Sequence, residues 1–114
     1  DVLKHVKDPV EVLNKCFQLL RENGLLYIQV PNVLGFKLPM NHSYGLPFHL
    51  WQFNKKTLLS LISKTNLRYV RYWTGVQGVI GVHERGGPNF MDKMLWFFAK
   101  YLRVGNRLQM VLRK

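Results

Sequence analysis

The chain is predicted to be an α/β protein, and three observations predict it. A strongly signalled helix over about 9–22 is followed within a few residues by a strand, 25–30, that is apolar on both faces. Helical and strand-like hydrophobic periods then alternate to the C-terminus, in the order helix, strand, helix, strand, helix, strand. Long connections rich in glycine, proline or aromatic residues separate the later elements. No internal repeat is visible, and 114 residues make one domain or a large piece of one.

The first helix has a clear start. Asp8 is placed to cap it, Pro9 takes the first position where its missing N–H costs nothing, and Glu11 falls three residues after the cap. Val10, Leu13, Phe17 and Leu20 recur at helical spacing, with Val12, Cys16 and Leu19 widening the stripe. Asn23 or Gly24 supplies the left-handed residue that ends it. In the strand, Leu26, Ile28 and Val30 face one way, Leu25 and Tyr27 the other, which predicts an interior strand covered on both sides; Pro31 ends it.

The connection 32–53 is longer than ordinary loops and carries Tyr, Phe, His and Trp, so it reads as a lid-like loop. Asn54 caps a second helix, about 55–64, with Leu58, Leu59, Leu61 and Ile62 inward. Residues 67–74 alternate as a strand, with Leu67, Tyr69 and Trp73 on one face. Residues 75–88 hold Gly75, Gly78, Gly81, Gly86, Gly87 and Pro88, a second, glycine-rich loop. Asn89 starts a third helix reaching about Arg103, whose inward face is read as Met91, Met94, Leu95, Phe98 and Leu102; its Trp96–Phe97–Phe98 cluster reads as core, or, with Lys93, Lys100 and Arg103, as an interfacial helix touching lipid or a lipid-like substrate. Gly105 stops it, and 107–113 alternates as a last strand with Leu108, Met110 and Leu112 inward.

Seventeen Lys/Arg against six Asp/Glu give a net charge of +11. That balance favours anionic partners, yet the bases are scattered and form no run, as in a skewed piece of a more neutral whole. Cys16 is the lone cysteine, so no internal disulfide forms, and no Cys/His cluster has zinc spacing. The charged opening residues lack a leader's apolar run, and no stretch is long enough to span a bilayer; a cytoplasmic setting is expected.

The opening residues Asp1-Val2-Leu3-Lys4-His5-Val6-Lys7-Asp8-Pro9 resemble the "D-x-L-E-H-V-x-D-P" loop that follows the fourth strand of class I S-adenosylmethionine-dependent methyltransferases. Residues 8–31 resemble that family's next helix and fifth strand, and "HLWQFNKKTLLSLISKTNL" at 49–67 resembles its run before the sixth. Lys4 stands where the family often has Glu, which removes a carboxylate a metal would use, so no metal is expected. The resemblance implies the C-terminal portion of a Rossmann-like seven-stranded sheet, mostly parallel with one antiparallel strand near its end, spanning 1–114 as part of one methyltransferase domain. The cofactor's glycine-rich turn and ribose-binding acid would then lie upstream or on another chain, and the fragment alone would be inactive.

The implied cofactor is S-adenosylmethionine, its methionine end met by Asp1, Val2, Leu3 and His5. His5, at the rim where ligands of open α/β sheets collect, and His49 are the candidate bases for a hydroxyl acceptor. Tyr44, Phe48 and Trp51 are the candidate substrate contacts for a small-molecule or lipid-like acceptor; the plainer reading of the aromatics is that they anchor the loop to the core. The rival function is a basic α/β module that binds RNA or another polyanion without catalysis, through Arg68, Tyr69, Arg71, Tyr72 and Trp73.

Overall fold

A computed structural model describes residues 1–35, 47–76 and 86–114. His42, Tyr44, Gly78, Gly81 and His83 therefore lie outside the described residues, as do most of the two long loops. The elements are α1 (Pro9–Leu19), β1 (Leu25–Pro31), α2 (Lys55–Ile62), β2 (Arg68–Gly75), α3 (Phe90–Tyr101) and β3 (Arg107–Arg113). The α/β class and the order of elements are those the hydrophobic periods predict.

Each helix starts on a side-chain cap. The Asp8 carboxylate accepts from the backbone N–H groups of Val10 and Glu11, at 2.9 and 3.0 Å. Asn54 accepts from Thr57 N at 3.0 Å while the Thr57 hydroxyl accepts from Asn54 N at 2.9 Å, and Asn89 and Asp92 exchange the same pair of bonds. Helix α1 stops three residues sooner than its periodicity predicts. Leu20 turns to extended geometry and packs against the core, and Asn23 takes the left-handed turn at φ 61°.

The sheet has the order β1-β3-β2, and β3 runs antiparallel to both neighbours. Strands β1 and β2 are therefore parallel to each other, with the last strand of the chain inserted between them. Leu108, Met110 and Leu112 of β3 are the centre of the core. Ile28 and Val30 of β1, Leu13 of α1, and Phe53, Leu58, Ile62 and Leu67 around α2 close over them. Beyond Pro31, Asn32 bridges Phe53 in parallel, and the Asn32 side chain donates to Gly105 O at 2.8 Å.

Three expectations change. Strand β1 is an edge, paired to β3 alone among the described residues, and Leu25 and Tyr27 are exposed. On its second face, among the described residues, Tyr27 stacks on Trp73 while Leu25 stays exposed. In β2 an irregularity between Tyr69 and Arg71 resets the alternation: Tyr69, Tyr72 and Thr74 sit opposite Leu112, Met110 and Leu108, while Trp73 pairs with Gln109 on the other face. In α3 the buried residues are Asp92 and Ala99; of the predicted stripe only Leu95 is half-buried, and Met91, Met94, Phe98 and Leu102 are exposed. Arg103, not Gly105, takes the left-handed position after this helix, at φ 57°. Gly105 is buried instead, packed so close to Gly75 that a Cβ there would run into the Gly75 carbonyl.

Candidate functional site

The two segments singled out at 1–8 and 47–53 meet beside the C-terminal end of β1. The Lys4 carbonyl accepts from Leu50 N and Trp51 N at 2.7 and 3.2 Å, and the Trp51 indole N–H donates to Val6 O at 2.8 Å. His5 Nδ1 lies 2.8 Å from Phe48 O. A carbonyl only accepts, so Nδ1 carries the hydrogen and, in the neutral ring, Nε2 keeps its lone pair. The His49 ring stands edge-on to His5, 5.0 Å between centroids. These contacts bring together His5, Phe48, His49 and Trp51.

Asp1 anchors a charged cluster on the same rim. Its Oδ1 is 3.4 Å from Lys4 Nζ and 3.3 Å from Arg107 Nη1, and its Oδ2 accepts from Gln29 Nε2 at 3.4 Å. Gln29 Oε1 in turn accepts from Gln109 Nε2 and from the Tyr27 hydroxyl, at 2.9 and 3.1 Å. Arg107 pairs with Pro31, the last residue of β1, which fixes this cluster at the strand's C-terminal end. Burial, and then the Arg107 charge, lower the Lys4 ammonium pKa below the ordinary lysine value. Arg107 Nε is buried without a hydrogen-bond partner, so it remains a donor. Among the described residues no group of three or more His, Cys, Asp or Glu is placed to hold a metal.

Val2 and Leu3 part company. Leu3 belongs to the core, whereas Val2 is 67% exposed. The sequence reading passed over Gln29, Arg107 and Gln109. They carry no motif, and only the antiparallel register of β3 against β1 sets them beside Asp1.

A second concave region opens on the core side of the sheet's rim. Asn32, Asn54, Lys55, Lys56, Tyr72 and Arg103 line a cleft of about 480 Å³. The Lys55 ammonium and the Arg103 guanidinium stand 4.2 and 5.1 Å from the Tyr72 ring centroid. Hydrogen bonds from Arg103, then from Lys55, pull the Tyr72 phenol pKa below the ordinary tyrosine value, outweighing its partial burial. A wider hollow of about 830 Å³ follows α1 from Val6 to Gln18 and contains none of the rim side chains.

No family model matches the chain, and no curated protein matches it significantly.

Proposed function

We propose that the chain is the C-terminal portion of a Rossmann-like methyltransferase domain that moves a methyl group from S-adenosylmethionine to a small-molecule or lipid-like acceptor. The observation that carries the proposal is the meeting of 1–5 with 47–51 at the C-terminal end of β1, the rim where open α/β sheets collect ligands. Two features of the sheet support it. The last strand is the antiparallel one, and β1 has a free hydrogen-bonding edge among the described residues, where earlier strands would continue the sheet.

The residues fit the methionine end of the cofactor. Arg107 Nε is a buried donor without a partner, and the neighbouring Lys4 adds positive charge toward a carboxylate. Asp1 offers a carboxylate to an ammonium, while Val2, the Leu3 backbone and His5 shape the rim. The bound cofactor supplies a methyl group activated by its sulfonium. His5, held by Phe48 O in the tautomer that leaves Nε2 basic, takes the proton of a hydroxyl acceptor; His49 packs against that ring and orients it. Phe48 and Trp51 present exposed aromatic surface to the acceptor.

Calorimetric titration of S-adenosylmethionine into the natural protein that carries this segment is the test. Saturable binding weakened by Arg107→Met supports the reading, and no binding overturns it. The 114 residues alone are expected to bind weakly. A second reading, polyanion binding, is favoured by the solvent face of the sheet. Tyr27 stacks on Trp73 at 6.0 Å and the Arg71 guanidinium lies 5.4 Å over the Trp73 ring, a stacking platform with cations beside it. Single-stranded RNA binding that falls steeply with salt and with Trp73→Ala supports this alternative; salt-insensitive binding removes it.

A further inference from the structure

Helix α3 turns its most apolar side to water. Asp92 and Ala99 are buried, and Leu95 and Trp96 half-buried. On the opposite side Phe90, Met94, Phe97 and Tyr101 recur every three or four residues, with Phe90 82%, Phe97 67% and Tyr101 77% exposed. Met91, Phe98 and Leu102, all exposed, widen this ridge. A contiguous apolar surface of this kind marks an interaction site.

Charge tells which partner fits. Lys93 and Lys100, two helical turns apart and exposed, flank the ridge and line a cleft of about 450 Å³ with Trp73, Trp96 and Gln109. An aromatic ridge with lysines along its margin and tryptophans at the boundary is the composition of a helix lying in a lipid interface. Among the described residues no helix is long and apolar enough to cross a membrane, so the geometry is that of a surface helix. A second copy packed ridge to ridge would bring its own Lys93 and Lys100 close to the same cations along the margin. A nucleic acid would satisfy the lysines and leave the ridge wet.

We propose that α3 docks on an anionic lipid surface, the ridge entering the acyl boundary while the Lys93–Lys100 cleft takes a headgroup phosphate. This docking stands whether or not the rim transfers methyl groups.

Co-sedimentation of the chain with vesicles tests it. Vesicles of equal parts phosphatidylserine and phosphatidylcholine are expected to retain the protein, and phosphatidylcholine alone to retain far less. The pair Lys93→Gln and Lys100→Gln is expected to lower the partition about 30-fold, since each lysine near an anionic surface favours binding severalfold. The pair Phe90→Ser and Phe97→Ser is expected to abolish retention with circular dichroism unchanged, because both rings already face water. Equal retention of either pair overturns the proposal. So does complete competition by soluble glycerophosphoserine, which would confine the interaction to the cleft. A dimer in sedimentation velocity, dispersed by the phenylalanine pair and accompanied by no vesicle retention, would assign the face to a second copy and likewise overturn it.

Discussion

Replacing Trp51 by Phe removes one hydrogen bond and leaves most of the ring in place. In the folded chain the indole N–H donates to Val6 O at 2.8 Å, one of the bonds that hold 47–53 against 1–8. Others among the described residues are Leu50 N and Trp51 N to Lys4 O, and His5 Nδ1 to Phe48 O. Trp51 is exposed, so water satisfies the freed Val6 carbonyl, and the loss stays near the ordinary net value of a hydrogen bond, about 1 kcal/mol. Among the described residues this clamp contributes only Leu3 and Phe53 to the hydrophobic core, so the cost falls on local opening rather than on global unfolding. Amide hydrogen exchange by NMR reads the difference. The Leu50 and Trp51 amides are expected to exchange about fivefold faster in Trp51→Phe, as about 1 kcal/mol of local stability dictates, with β3 amides unchanged. Unchanged exchange at Leu50 would refute the clamp. A loss of global stability as large as a core truncation would refute its separation from the core.

The same physical reading gives three further outcomes. Leu58 is completely buried under the sheet, so Leu58→Ala is expected to cost about 2–5 kcal/mol, measured by urea unfolding; a loss below about 1 kcal/mol would mean α2 is not packed as described. Gly105→Ala is expected to destabilise strongly by thermal melt, because the new methyl meets the Gly75 backbone rather than a side chain that can move, whereas Gly86→Ala meets only open space and pays for its positive φ alone. Tyr72 is expected to titrate below the ordinary tyrosine value in a near-ultraviolet pH titration, and Tyr72→Phe to delete that early phase. The folded state then loses the Tyr72 proton before the unfolded state does, so stability rises with pH between the lowered value and the ordinary tyrosine value of about 10. Lys4 acts in the same direction: burial penalises its charge, and the penalty is relieved as pH climbs toward the ordinary lysine value. Urea midpoints that fall across this alkaline window would reverse both assignments.

Much of the local structure was legible without coordinates. Asp8, Asn54 and Asn89 mark their helix starts, and Leu108, Met110 and Leu112 mark the buried side of β3, because capping bonds and strand alternation depend on near neighbours in sequence. The capping partners Thr57 and Asp92 were within reach of the same logic, three residues after each cap. Among the site residues, Phe48, His49 and Trp51 are legible as one aromatic stretch and His5 as part of the opening loop, but the convergence of the two follows from hydrogen bonds between segments more than forty residues apart.

What the amino-acid order determined by itself is the α/β class, the sequence of elements and the caps, all set by contacts spanning a few residues. Tertiary structure alone decided that the last strand slots between the other two, and with it the placing of Arg107 and Gln109 beside Asp1 and Gln29. It also decided which stripe of α3 meets the sheet. Periodicity shows that a helix has an apolar side, but here the buried positions are Asp92, which caps the helix start, and the small Ala99, which lets the helix approach β2, while Phe90, Phe97 and Tyr101 are left outside. The side a helix buries is set by the shape of the surface beneath it, and that surface exists only once the strands have paired.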